Sequence, residues 1–253
     1  MTEKEIQEVK RAHYRAEELN LLTSEFICSG KEGQDLFAQA MMRGNTGYFL
    51  DIGCNHGIHH NNTYSLERAG WKGLLFDILE PTAEQMLWAR KSPYSLIDCT
   101  SEGFQNILNE EAPKEVDYIS LDIDGQTHHC LERVLRAGIK FKVMTFEHDR
   151  HKSGDARKAP AKKMLQDHGY HVLHENVMSD LKLHPETQKY LTVRRHKKRG
   201  FTVGGWHEWE DWWIHPDYFD KDVLEISTKG VGWSEALMAT LDYMSKKYNY
   251  KKF

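Results

Sequence analysis

YFLDIGCNHG, Tyr48–Gly57, decides how this chain is read. Apolar and aromatic residues lead into Asp51, and a Gly-x-x-x-Gly turn follows. The pattern predicts a buried strand that ends in a loop where backbone approaches a ligand closely. Gly53 has no Cβ, so it can take a turn conformation or let another group within contact distance. A helix should begin near Asn61 or Asn62, either of which can accept from free N–H groups. In open parallel sheets ligands bind beyond the carboxyl ends of the strands, so a nucleotide-like cofactor is expected at this one.

Strand and helix signals alternate from here onward. Strands are expected at Tyr48–Cys54, Gly73–Ile78, Tyr94–Ile97, Asp117–Ile123, Val143–Glu147 and Tyr170–Glu175, with Tyr190–Arg194 as an antiparallel edge partner of the sixth. Helices are expected at Asn62–Ala69, at Thr82–Arg90 after Pro81, at Ser101–Asn109 with Ser101 as its cap, at His129–Ala137 and at Ala156–His168. Repeated strand–helix units predict an α/β fold with a mostly parallel, seven-stranded sheet covered by helices on both faces. Residues 1–30 read as a helical segment and 31–199 as the cofactor-binding domain. Residues 200–253 read as a Trp-rich extension followed by a terminal helix, Ser234–Lys246. The Trp-rich part shows little regular periodicity. Its aromatic residues are expected to pack against the body or a partner subunit, or to form a lid, and a homodimer follows from them.

The chain has 253 residues, 40% of them hydrophobic, enough for one sizeable core. A net charge of -4 gives no global field for nucleic acid or an anionic membrane, despite a basic run at Arg194–Arg199. No window approaches ~20 apolar residues, so no membrane span is expected. The N-terminus reads as a charged helix, not a signal peptide. The four cysteines are scattered, without metal-ligand or disulfide spacing. A reducing, cytoplasmic setting is expected.

Acidic residues collect at the predicted strand ends: Asp51, Asp77, Asp98, Asp122, Asp124 and Glu147. Buried carboxylates need partners, which ribose hydroxyls, an amino group or a metal can provide. Asp77 is spaced to accept ribose hydroxyls and Asp98 to accept an adenine amino group. The glycine spacing is not the G-x-G-x-x-G pyrophosphate cradle, which disfavours an NAD-dependent oxidoreductase. A nucleic-acid methyltransferase is disfavoured too, since no Asn/Asp-Pro-Pro-Tyr/Phe motif follows the fourth strand. S-adenosylmethionine, an adenosine without phosphates, suits the site, with its charged amino acid end near Asp51. Gly57, Asn55, Asn62, Cys99 and Asp122 complete the expected cofactor set.

The order of motifs resembles that of the FkbM-like S-adenosylmethionine-dependent methyltransferases. The resemblance rests on GKEGQDLFA (Gly30–Ala38), YFLDIGCNHG, NNTYSLERAGWKGLLFD (Asn61–Asp77), VDYISLDIDG (Val116–Gly125) and TFEHD (Thr145–Asp149), within about residues 28–195. It implies a Rossmann-like class I methyltransferase sheet and methyl transfer to an oxygen of a sugar, polyketide or similar small molecule. By the same resemblance Gln34 and Asp35 approach the cofactor from the N-terminal side. Departures from the pattern are His56 for an acid in the glycine turn, Cys54 for a smaller residue, and Asp77 and Asp124 where Glu is common.

Methyl transfer to a hydroxyl needs a base. His128, just past the fourth strand, is the leading candidate, with Asp124 beside it and His148 competing from the fifth strand. His129 reads as a capping or solvated residue. Asp124 and Glu147, with Asp149 or His148, could hold Mg²⁺; this looks like the D-x-x-x-H and E-D pairs of metal-dependent macrolide sugar methyltransferases, with His148 in place of the second acid. His56, His59 and His60 form a further group suited to anion or substrate contact.

Overall fold

The computed structural model describes residues 30, 32–55, 57–58, 60–80, 86–87, 89–180 and 206–248. The N-terminal segment, most of the helix expected over Thr82–Arg90, the strand expected at Tyr190–Arg194, the basic run, His56 and His59 lie outside the described residues.

The strands are β1 (Tyr48–Ile52), β2 (Lys72–Asp77), β3 (Tyr94–Leu96), β4 (Glu115–Leu121), β5 (Lys140–Glu147), β6 (His171–Asp180), β7 (Trp206–Ile214) and β8 (Thr228–Lys229). They form one sheet in the order β3-β2-β1-β4-β5-β7-β6-β8. The β3-β2-β1-β4-β5 run is parallel, and β7 is antiparallel to both β5 and β6. This is the expected α/β Rossmann-like arrangement, with eight strands among the described residues where seven were expected. Six of the expected strands are β1 to β6; β7 and the two-residue β8 were not expected, and the expected seventh strand lies outside the described residues.

Side chains alternate across a strand, so neighbouring residues enter opposite cores. Phe49, Leu75, Tyr118, Val143 and Trp212 enter the core under α1 (Gln34–Met41) and the terminal helix. Leu50, Phe76, Ile119, Met144 and Trp213 enter the other. That second core is closed by residues of the helices after β3, β4 and β5. They are α3 (Glu102–Glu111), α4 (Thr127–Arg136) and α6 (Lys158–Asp167). Between β1 and β2 lies α2 (Tyr64–Arg68), after β5 the short α5 (Arg150–Ser153), and at the end α7 (Trp233–Tyr248). Ser101 caps α3 as expected, its Oγ accepting from Phe104 N–H at 3.2 Å. Asn61 serves the start of α2, its Oδ1 accepting from the N–H groups of Thr63 and Tyr64 at 3.0 and 2.8 Å.

The Trp-rich segment packs against the body as expected, but not as irregular chain. Trp206–Ile214 is neither irregular nor a lid but the strand between β5 and β6. Trp212 and Trp213 are both fully buried, one on each face. A strand covered on both faces has no polar side to alternate with, so the period-2 signal vanishes. No helix among the described residues is long and apolar enough to cross a membrane.

Trp212 stacks on Phe37 at 4.6 Å between ring centroids, and its Nε1 donates to Glu210 Oε1 at 2.7 Å. Trp212→Ala is therefore expected to lose about 3–5 kcal/mol in urea denaturation. Leu87→Ala, at a side chain that is 79% exposed, should change it by no more than about 0.5 kcal/mol.

Candidate active site

A cavity of about 1040 Å³ opens at the carboxyl ends of the parallel strands. Its first half is built by the loops after β1, β2 and β3. Asp51, near the end of β1, is buried, and its Oδ2 accepts from Asn61 Nδ2 at 3.1 Å and Thr63 Oγ1 at 2.6 Å. Arg90 donates in turn to Asn61 Oδ1 and Thr63 Oγ1, both at 2.9 Å. Burial pushes the Asp51 carboxyl up to about 6, against the pull of Arg90, Thr63 and Asn61.

Gly53 follows with φ 87, and a Cβ there would overlap the carbonyl oxygen of Asp122. Its N–H and that of Cys54 donate to Phe76 O at 2.9 and 3.2 Å, joining the loop to β2. Asp77 is fixed by three backbone amides: Asn55 N–H to Oδ2 at 2.8 Å, and Ile78 and Leu79 N–H to Oδ1 at 2.7 and 3.0 Å. Exposed Asp98 accepts from Thr100 N–H at 2.8 Å and Thr100 Oγ1 at 2.7 Å, and these bonds hold its carboxyl below the usual range.

The second half lies beyond β4 and β5. Asp124, Glu147 and Asp149 bring carboxylate oxygens within 4.8 Å of one another. Burial raises Glu147 well above the usual carboxyl range, and neighbouring Asp122 and Asp149 add to it. Asp149 is buried and pairs through Oδ2 with Lys152 at 2.7 Å and Arg157 at 3.3 Å. Its Oδ1 is buried without a hydrogen-bond partner. That oxygen, with the His151 imidazole 3.9 Å away, and the two further carboxylates form a donor set that fits a hard divalent cation. Trp209, with Lys152 Nζ 4.9 Å from its ring centroid, closes this end.

Asp51, Gly53, Asn55, Asn62, Asp77, Asp98, Cys99, Asp122, Asp124, Glu147 and Asp149 thus all line one cavity. Five expected residues stand outside its lining. Gln34 donates to Glu210 Oε2 at 3.3 Å instead. Gly57 is buried next to the glycine loop. His128, in the first turn of α4, lies beside His129 with ring centroids 4.1 Å apart and planes tilted by 37°. His148 is fully buried, with one nitrogen 3.2 Å from Asp211 Oδ1 and the other accepting from Arg150 N–H at 3.1 Å. Asp35 is likewise turned inward, bonded to Gly30 N–H at 3.1 Å and to Ser65 Oγ. Of the histidine group, His60 lines the cavity. Lys152, Arg157 and Trp209 were missed. The first two sit in and after a four-residue helix without apolar periodicity, and Trp209 was hidden in the misread strand.

The chain matches no family model and no curated protein. Solved structures of similar fold include an O-methyltransferase from Bacillus cereus in complex with S-adenosylhomocysteine. It is 11% identical, covers 83% of this chain and 90% of its own, and has a TM-score of 0.45. Precorrin-6y C5,15-methyltransferase from Geobacter metallireducens is 13% identical over 76% of this chain and 90% of its own, with a TM-score of 0.45. The 1,6-didemethyltoxoflavin-N1-methyltransferase of Burkholderia thailandensis, solved with 1,6-didemethyltoxoflavin and S-adenosylhomocysteine, is 12% identical over 85% and 91%, with a TM-score of 0.43. At these values the likeness is one of fold alone.

The Asp51 value has a consequence for stability. Its carboxyl binds a proton more tightly in the folded chain, near 6, than in the unfolded chain, near 3.8. The cost of ionising it is absent below the unfolded value and complete above the folded one, on the order of 3 kcal/mol. Ligand-free Asp51→Asn should accordingly unfold at higher urea than the wild type at pH 7.5, and the gap should close by pH 4.

Proposed function

We propose that this chain is an S-adenosylmethionine-dependent O-methyltransferase acting on a hydroxyl of a small molecule or glycan. The charge of the cavity carries this reading. Seven carboxyl side chains line it, Asp51, Asp77, Asp98, Asp122, Asp124, Glu147 and Asp149, against two cations, Lys152 and Arg157. Both cations are paired with Asp149, so none faces the half built by β1, β2 and β3. Crowded carboxylates favour a cationic guest and repel phosphate. S-adenosylmethionine supplies a methyl group on a cationic sulfur, carries an ammonium group, and has no phosphate. NAD brings a pyrophosphate and nucleic acid a phosphate backbone, so the alternative readings meet the opposite field.

Asp51 faces the ammonium group, Asp77 offers its carboxylate to the ribose hydroxyls, and Asp98 to the adenine amino group. Gly53, Asn55, Asn62, Cys99 and Asp122 form the walls between them; Gln34 and Gly57 are not part of this set. The FkbM-like order of motifs is the more specific form of the reading, supported best by the NTYSLERAGWKGLL block. Asp124, Glu147 and Asp149 suit Mg²⁺, which would acidify and orient the acceptor hydroxyl.

His128 is the proposed base. It stands back from the cavity, so one water relays the proton to it. Burial, with His129 and Arg157 adding, lowers its affinity for a proton, which keeps the ring neutral at pH 7. Its Nδ1 is buried with no hydrogen-bond partner. The free thiols Cys54, Cys99 and Cys130 support a reducing, cytoplasmic setting.

Calorimetry should detect S-adenosylhomocysteine and not NAD. Asp77→Ala removes a charged hydrogen-bond acceptor and should weaken that binding by about 1.5–3 kcal/mol. In an acceptor screen of glycans and hydroxylated metabolites, turnover should rise with Mg²⁺. His128→Ala should lower it at least ~100-fold while S-adenosylhomocysteine still binds. Binding of NAD without S-adenosylhomocysteine would sink the assignment.

A further inference from the structure

His148 stands between Glu147 and Asp149, both of which line the cavity, yet it does not line the cavity itself. Its ring is fully buried and bonded at both nitrogens. Nδ1 accepts from Arg150 N–H, which leaves the proton on Nε2, and Nε2 donates to Asp211 Oδ1. Asp211, on β7, is itself held by Lys158 Nζ at 2.9 Å and by Asn176 N–H at 2.6 Å. The ring is therefore tied to an anchor that spans β6, β7 and α6.

What this tie holds is Asp149. That residue is left-handed, φ 50 and ψ 44. A residue with a side chain keeps such a conformation only where its surroundings impose it. The N–H groups of His148 and Asp149 both donate to Trp209 O at 3.0 Å. The next amide is Arg150 N–H, which His148 takes. The amides on either side of the Asp149 α-carbon are thus fixed, one by the β7 backbone and the other by the imidazole. Rotation at this residue would swing its carboxylate away from Asp124 and Glu147.

We propose that His148 is a positioning residue: its imidazole clamps the turn after β5 so that Asp149 completes a divalent-cation site with Asp124 and Glu147. The inference rests on the metal reading above. It assigns His148 neither as base nor as ligand, because both ring nitrogens are already engaged.

The test is titration with Mn²⁺ followed by loss of the free-ion electron paramagnetic resonance signal, with S-adenosylhomocysteine affinity measured in parallel. Wild-type protein should bind Mn²⁺. His148→Ala should bind it about tenfold or more weakly, with cofactor affinity changed by no more than about twofold. His148→Gln, which keeps one donor and one acceptor, should recover most of the loss. If the alanine variant does not fold, His148→Phe fills the same space without ring nitrogens and should show the same loss. Mn²⁺ affinity in either variant within about twofold of wild type overturns the positioning role alone. A wild type that binds no Mn²⁺ overturns the metal reading and this role together.

Discussion

A side chain at residue 53 would overlap the carbonyl of Asp122, and the rest of the site depends on that closeness. It lets the loop after β1 settle against the end of β4 while its amides reach back to Phe76 on β2. Three strand ends are drawn together at one glycine. Asp51, Asp77 and Asp122 then face a common space from three neighbouring strands of the sheet. A larger residue would also have to adopt a positive φ, so packing and backbone conformation exclude it together.

Bringing carboxyl groups together has an electrostatic consequence that the protein only partly relieves. Around Asp77 the relief comes from backbone amides, which supply partial positive charge at fixed positions and leave the carboxylate facing the cavity. Around Asp51 it comes from Asn61 and Thr63, with Arg90 one step behind. Arg90 therefore steadies the loop without filling the cavity. At Asp149 two cations relieve one oxygen, while the other makes no hydrogen bond and has the His151 imidazole 3.9 Å away. The residual negative field is one that would favour a cationic guest over a phosphorylated one, and the raised Asp51 carboxyl makes the same crowding a cost to the ligand-free protein.

The placement of the acids in the half built by β1, β2 and β3 was legible in the sequence because each follows an apolar run. A strand that ends on Asp51 or Asp77 must deliver it to the rim of the sheet, whatever its neighbours do. The turn Glu147-His148-Asp149 was legible only in part. Its acids were recognised, but the side on which His148 falls depends on a partner, Asp211, that is 63 residues away. Asp211 lies in the strand that the sequence concealed. Trp212 and Trp213 enter opposite cores, so β7 offers neither alternation nor a polar face. His128 was placed over the cavity by its distance from β4, yet the chain turns into α4 at Thr127 and carries the ring past the rim. Lys152 and Arg157 had no signal at all, since their direction follows from the left-handed turn at Asp149.

The central claim is that the carboxylate rim receives a cation, and Asp51 gives the most direct reading of it. Calorimetry of S-adenosylhomocysteine binding at pH 6, in buffers of different ionisation heat, counts the protons exchanged. With the Asp51 carboxyl near 6 in the free protein, an arriving ammonium group should drive its proton off. About half a proton should be released, and the release should vanish in Asp51→Asn. Proton uptake by the wild type, or a release unchanged in that variant, would contradict the account.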